Sequence, residues 1–420
     1  MSDWQQISLG DLETPVRRKV AVPPQGSRAS VSGGYPLRPL GDVVRLDIQR
    51  TPMKPATTYR LAGVLNAGKG VVDKGELDGG DTEYAAMNVL HTDQVVMRKL
   101  TAWEGPITVV PAEFDGFVVS NEFPTFTLGP ELMPDWMRHV CRSPRLWAEM
   151  KNRVSGTVQR RKRLNPEQLL QIQLPIPPRE VQGRIVEMLD AVDDQINALN
   201  AEADTLERAL DAWIATVFST ADNYAPLGDI AEVQLGKMLS KERAAGPDQA
   251  PYIRNADVQW QGLNLTDLKT MTFTEKDRAR YSLRAGDILS CEGGDPGRSV
   301  ILSEDLDGIY YQKAVHRVRA TGVDSRFLYV AIKHSYASGA IADLCTVTTI
   351  KHLTAEKYRT LHVPLLSEKR QLRAVEVHDV FFAQVSAIRA EANRLRGARA
   401  SLLSGLLDRT IDIKSAEQEV

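Results

Sequence analysis

The sequence predicts an α+β protein built twice over. Two globular blocks of mixed character are each followed by one long helix, and the two helices pair as an antiparallel intramolecular coiled coil about a pseudo-twofold axis. Three observations lead there. Residues Leu164 to Pro175 read LNPEQLLQIQLP and Leu353 to Pro364 read LTAEKYRTLHVP, 189 residues apart; each is followed by a Gln, Gln182 and Gln371. Upstream, Pro39-Leu40-Gly41-Asp42-Val43 is answered by Pro226-Leu227-Gly228-Asp229-Ile230. A period this long marks a duplicated domain, since solenoid repeats run to about 20–50 residues. Third, apolar residues fall at Ile185, Leu189, Val192, Ile196, Leu199, Ala203, Leu206, Leu210, Trp213 and Val217, alternating steps of four and three. That is an unbroken heptad seam.

The second copy keeps the seam at Ala374, Phe381, Val385, Ile388, Ala392, Leu395, Leu402 and Leu406, with His378 and Arg399 as polar interruptions. Each seam spans roughly 50 Å at about 1.5 Å per residue. Two exposed stripes of this kind would leave long apolar surfaces in water, so they are expected to bury against each other. The second block lies between them in sequence, which makes the antiparallel pairing the easy one and puts the blocks at opposite ends of a rod.

Along the chain the expected order is an N-terminal arm (1–38), a first block (39–163), a first spacer helix (164–222), a second block (223–352), a second spacer helix (353–412) and a short tail (413–420). The arm carries Pro23-Pro24 and a linker-like GSRASVSGG from Gly26 to Gly34. In the first block, β-like runs Gln94–Met97, Ile107–Val110 and Phe117–Val119 precede a helical stretch from about Met133 to Arg153. In the second, strands near Asp287–Ser290 and Val300–Leu302 precede a helix from about Ser325 to Leu344. Trp136 and Trp147 read as core anchors of the first helical stretch.

Composition sets outer bounds. A length of 420 residues suits two or three domains. Hydrophobic content of 43% and charged content of 25% are those of an ordinary soluble protein. There is no run of 18 apolar residues and no apolar leader, so neither a membrane span nor secretion is expected and the chain reads as cytoplasmic. Cys141, Cys291 and Cys345 are isolated and follow no CxxC spacing, which argues against a disulfide framework or structural zinc. With a formal net charge of −2, any nucleic-acid footprint has to come from local clustering.

The residues resemble the specificity subunit of type I restriction–modification systems over almost the whole chain, from about residue 38 to 412. The likeness rests on the duplicated order of block and helix and on LQIQLPIPPREVQGRIVEMLDAVDDQI, which is similar to the family's lead into its spacer helix. The second copy, RTLHVPLLSEKRQLRAVEV, departs from the pattern in having Leu366 where a second Pro is usual. WEGPITVVPAEFDGFVVSNEFPTF also looks like part of a target-recognition domain. The resemblance implies that each block reads one half of a split double-stranded DNA site, that the helices measure the unread gap, and that unlike blocks read unlike halves. It implies two methyltransferase subunits and restriction subunits as partners. S-adenosylmethionine, Mg²⁺ and ATP would then belong to those partners, with no cofactor on this chain. Modules about a helical turn apart, roughly 34–36 Å, meet the same face of a duplex.

Local basic clusters supply the DNA-contact candidates. Lys151, Arg153, Arg160, Arg161, Lys162 and Arg163 gather at the junction of the first block and its helix with no acid among them. Such a cluster gains affinity by releasing counterions from phosphates. Lys351, beside Thr348, Thr349 and His352, is the equivalent place in the second copy. Lys237, Lys241 and Arg243, then Lys313, His316 and Arg317 with Arg319, and finally Arg98 and Lys99 near Trp103, complete the set. Arg and Lys are suited to base edges and phosphates alike.

No catalytic or metal residues are assigned. There is no GxxxxGK[ST] loop, no HExxH and no Asn-Pro-Pro-aromatic motif. Pro134-Asp135 with Glu149-Met150-Lys151 has the outline of a nuclease metal site, but it brackets a helical stretch instead of lying on strands. Two rival readings stay open beside the DNA reader: a coiled-coil scaffold that binds proteins only, and a DNA reader of another phage-defence or anti-restriction system.

Overall fold

A computed structural model of the chain describes residues 34–156, 162–240, 246–347 and 351–411. It divides into two compact units, one of residues 1–197 with 393–420 and one of residues 198–392. Both long helices run through both units: the first spans Arg179–Ser219 and the second Glu368–Leu407. Each unit therefore owns one block and a stretch of each helix.

The repeated motif has the same local physics in both units. Asn165 caps a short helix, Pro166–Leu170, in a reciprocal box with Gln168, and Thr354 caps Ala355–Arg359. A strand follows each: Gln173–Pro175 pairs antiparallel with Leu37–Pro39, and His362–Leu365 with Asn223–Pro226. Leu37 and Arg38, read from sequence as the end of the arm, thus belong to a strand; residues 1–33 lie outside the described part. The repeated glutamines then close the start of each long helix. Gln182 Nε2 donates to the carbonyls of Pro177 and Glu131, and Gln371 Nε2 donates to that of Leu366.

The blocks share one sheet. In the first unit it runs, by neighbouring strand, Val44–Leu46, Thr125–Leu128, Val95–Met97 and Ile107–Val109; in the second, Ala231–Leu235, Val315–Ala320, Ile288–Cys291 and Ser299–Ile301. All neighbours are antiparallel. Beside it, each block has a hairpin joined to one parallel strand: Thr58–Val64 with Val71–Asp78 and Val118–Val119, and Gln249–Ile253 with Lys269–Thr272 and Tyr310–Tyr311. The first unit extends this second sheet with Ala86–Val89 and Arg50–Pro52. The common sheet is kept in both copies while the second sheet differs.

Two expected helices are each broken. The stretch 133–153 forms Pro134–Cys141 and Pro144–Arg153, because Pro144 has no N–H for a continuing helix and instead starts a new one capped by Ser143. The stretch 325–344 forms Ser325–Ala337 and Ala340–Leu344, interrupted at Gly339, which takes a left-handed φ of 86°. Trp136 is fully buried as expected, and Trp147 packs half-buried with its indole N–H on the Cys141 carbonyl.

Within each unit the two helices run antiparallel and finish the block's core. Ile185 and Leu189 from one helix, with Leu403 and Leu406 from the other, join Trp136, Leu146 and Phe126. In the second unit Leu210, Ile214 and Phe218 join Ala374, Val375 and the helix face of Phe327 and Leu328. Of the seam residues, Ile185, Leu189, Ile196, Leu199, Leu210, Val385 and Ile388 are buried, and Val192, Leu206, Phe381, Leu395 and Leu402 are half-buried. Past Leu210 the buried residues become Ile214 and Phe218, while Trp213 and Val217 are half-buried. A 3.6-residue helix drifts by about 20° per heptad against a 3.5 repeat, and the block claims the drifted face. His378 and Arg399, expected as interruptions, are buried in the seam at 3% and 5% exposure.

Gly105 and Gly297 occupy matching loops after the third strands of the order. A Cβ on Gly105 would lie 2.6 Å from the Trp147 ring, at a φ of +69°; Gly116 has φ +77° with nothing near. Gly105→Ala should therefore destabilise by about 3 kcal/mol, from the left-handed backbone and an overpacked ring. Gly116→Ala should cost about 1–2 kcal/mol, the backbone share alone. Equal losses in urea unfolding would refute the clash.

Candidate nucleic-acid interface

In the first unit, backbone bonds gather the basic junction into one patch. Ser155 and Arg163 exchange both bonds at 2.9 Å, Thr101 N–H donates to Lys162 O, and Leu164 N–H donates to Lys99 O. Lys99 N–H in turn donates to Glu122 O. Buried Leu164 anchors the base of this arrangement. Lys151 is exposed in the last turn of Pro144–Arg153; Lys99 and Lys162 are half-buried. None of these three lysines has an ion pair or side-chain hydrogen bond among the described residues. Arg160 and Arg161 lie outside the described residues.

The arginines of that patch are differently employed. Arg163 forks onto Glu122, at 3.1 and 3.3 Å, and Arg153 pairs with Glu149 one turn back on its own helix. Arg98 donates to Leu100 O, Asn66 Oδ1, Thr101 Oγ1 and Glu104 Oε2, so its guanidinium holds the loop that carries Gly105.

The second unit repeats the arrangement with other residues. Thr346–Val347 pairs with Lys351–His352, and His352 bridges to Gly293. Leu353 N–H donates to Glu292 O at 2.7 Å, Glu292 N–H to Ala314 O, and Lys313 N–H to Lys237 O. Lys313, Lys351 and His352 are exposed around this loop. A Cβ on Gly293 would lie 3.0 Å from His352 Nδ1, so the loop needs glycine for the close approach. Lys241 and Arg243, with Thr348 and Thr349, lie outside the described residues.

Three expected surface cations are interior groups. Lys237 is 6% exposed: its ammonium donates to Thr272 O and Asp277 Oδ2 and sits 5.0 Å from the Phe273 ring centre. Burial pushes the Asp277 carboxyl up, but hydrogen bonds from Lys237 and Thr274 outweigh it and bring the pKa to about 2. Arg317 is 3% exposed and donates to the carbonyls of Ser282 and Arg280 and to Glu232. His316 is fully buried beside Tyr358, with Nε2 2.8 Å from Leu353 O. His316 and Arg317 are neighbours on the strand Val315–Ala320 and so lie on its opposite faces, both of which the chain itself covers; Lys237 follows the strand Ala231–Leu235. Arg319, half-buried, forks onto Asp287 at 2.6 and 2.7 Å. His316 still serves the patch, because it pins the residue that follows Lys351 and His352.

The nuclease-like outline does not assemble. Asp135 pairs with Arg138 and Glu149 with Arg153, each within its own helix. Among the described residues the only grouping with metal-ligand geometry is His139, Asp190 and Asp193. Two guanidiniums already fill it: Arg142 reaches Asp193 at 2.7 and 3.2 Å, and Arg399 reaches it at 2.6 and 2.9 Å. Arg399 also donates to His139 Nδ1 at 2.5 Å, leaving His139 Nε2 3.1 Å from Asp190 Oδ1. A divalent cation would have to displace both arginines, so the group is an ionic network. Burial and then Arg399 hold the His139 pKa down at about 4. Burial raises Asp193, but hydrogen bonds from Arg399 and Arg142 bring it below the ordinary carboxylate value. Sequence reasoning missed this network. Its one signal was a charged residue at a seam position, Arg399.

With this geometry in view, comparison with known proteins places the chain. A family model described as the type I restriction modification DNA specificity domain matches residues 148–208 and 223–395, together more than half of the chain. The chain belongs to that family. A curated relative from Haemophilus influenzae, described as a putative type I restriction enzyme specificity subunit, is 24% identical over 245 residues, covering 54% of this chain and 60% of the relative. That match spans less than two thirds of the relative's length. A solved structure titled as the structural basis of complex assembly and conformational transition of the type I R-M system superposes with a TM-score of 0.55 at 18% identity, covering 90% of this chain and 98% of that one. At that identity the likeness is one of fold. No helix among the described residues is long and apolar enough to cross a membrane.

His316 also makes stability depend on pH. Burial lowers its pKa from 6.5 to about 4, so as pH falls through this window the unfolded chain takes up the proton first. Its contribution is complete above pH 6.5 and is lost towards pH 4; between pH 7 and 5 the loss is about 2 kcal/mol. His316→Gln should flatten the pH dependence of the urea midpoint over that range. An unchanged slope would mean that His316 is not held neutral in the folded protein.

Proposed function

We propose that this chain is the DNA-recognition subunit of a type I restriction–modification complex, acting in the cytoplasm. Each block reads one half of a bipartite, asymmetric double-stranded site. The continuous long helices, which carry residues of both units, set the number of unread base pairs between the halves. The observation that supports this reading best is the pairing of one shared sheet and one shared junction with unlike loops. In one copy Lys99, Lys151, Lys162 and Arg163 surround the junction, in the other Lys313, Lys351 and His352. A common frame with different exposed side chains suits two readers of different half-sites. Lysines without internal partners supply phosphate attraction, and base choice falls to the loops they flank.

The chain's own part is non-catalytic: to bind, orient and measure. Two methyltransferase subunits would bring S-adenosylmethionine and flip the target base, and restriction subunits would bring ATP- and Mg²⁺-dependent steps. A protein-only scaffold would show no salt-dependent DNA affinity in the presence of its partners.

The deciding experiment is a methylation map: the chain and a type I methyltransferase subunit from the same operon are expressed in a methylation-free host, and modified adenines are read genome-wide. A split motif with two unlike halves around a fixed gap is expected, and replacing 39–163 by another such block should change one half only. Soluble, co-purifying proteins with no motif would overturn the reading. Replacing Lys99, Lys151 and Lys162 by Ala should weaken binding across all sequences and reduce the salt slope by roughly 0.9 for each phosphate no longer neutralised. An unchanged slope would remove these lysines from the interface.

A further inference from the structure

The two long helices carry opposite charge. The first, Arg179–Ser219, has nine acidic residues and three basic ones, a net of −6; the second, Glu368–Leu407, has four acidic and seven basic, a net of +3. Two ion pairs, one in each unit, turn this bias into geometry. In the first unit Arg399, 5% exposed in the seam, forks onto Asp193 of the first helix. In the second unit Arg389 forks onto Glu207 at 2.9 and 2.7 Å, with Asp204 at 3.5 Å.

The duplication says what each residue would meet if like helices paired. Shifting by the 189-residue repeat puts Phe382 where Asp193 stands and Leu210 where Arg399 stands; it also puts Asn200 in place of Arg389 and Arg396 in place of Glu207. Against a second first helix, Asp193 would lose Arg399, keep only the half-exposed Arg142 and face Leu210, and Glu207 would face Asn200. Against a second second helix, Arg399 would be buried on Phe382, and Arg389 would oppose Arg396. A buried charge stripped of its partner is strongly unfavourable, whereas an intact buried pair is close to neutral beside an apolar replacement. Pairs of this kind contribute little to stability and much to the choice of partner.

We infer that the Asp193–Arg399 pair is a partner-selecting lock: it lets the first long helix pair with the second and rejects pairing between the first helices of two copies. The duplicated frame gives such a lock a use, because the two seams follow the same heptad spacing. The charged positions add a difference in sign between the two helices. The lock operates whatever the two blocks bind.

The test uses the full-length chain with a cysteine at exposed Ala201 on the first helix; the native cysteines are buried. A short bismaleimide then joins two chains only when their first helices lie together. In the A201C background, D193F/R399L gives each of the two positions the residue found at its repeat counterpart. After unfolding and refolding at equal concentration, this variant should give about fivefold or more cross-linked dimer than A201C alone. A folded variant that cross-links no more than its parent would overturn the lock. A variant that cannot fold would overturn it as well, because the pair would then serve stability and not choice. Neither outcome touches the methylation map, so the two proposals fail separately.

Discussion

The antiparallel packing of the two long helices is the constraint on which everything else rests. Neither block closes its own core: Leu403 and Leu406 enter the first, Leu210, Ile214 and Phe218 the second. Each unit is therefore assembled from segments some two hundred residues apart, and the helices cannot be stable stripes in water without that partner. The Asp193–Arg399 fork sits inside this packing and draws in Arg142 and His139 from the first block's helical layer. Orientation of the block and choice of helix partner thus meet at one carboxylate. The cost is a buried charge, offset only while all its neighbours are in place.

Duplication explains the division of labour within each unit. What both copies keep is the machinery that launches a long helix: a capped turn, a paired strand carrying a proline, and a glutamine that ties off the carbonyls before the first turn. What differs is the second sheet and the loop beside the junction, TAWEG in one copy and EGGDP in the other. Scaffold and loops can then vary independently, as loops on a rigid frame do.

The basic residues sort by chemistry more than by position. Arg98, Arg317 and Arg319 use the planar guanidinium to bridge carbonyls and carboxylates within the fold, and Arg163 forks onto one carboxylate, geometries that suit Arg. Lys99, Lys151, Lys313 and Lys351 make no such bridges among the described residues and leave their charge to solvent. Sequence clustering alone could not separate the two groups, because positive charge looks the same in a patch and in an internal clamp. Lys237 shows that even lysine goes inside when a carboxylate and a carbonyl wait for it.

The sequence by itself determined the duplicated order, the long helices and their seam, because these rest on periodicity and local capping, which short-range sterics and hydrogen bonding enforce. The helix breaks at Pro144 and Gly339 were not read from it, since the expectation carried one helix through each. Only the tertiary structure decided that His316, Arg317 and Lys237 are interior, that the seam drifts to Ile214 and Phe218, and that Arg399 meets Asp193 from 206 residues away. Burial and charge pairing are properties of what folds back onto a residue, and chain neighbours carry no record of it.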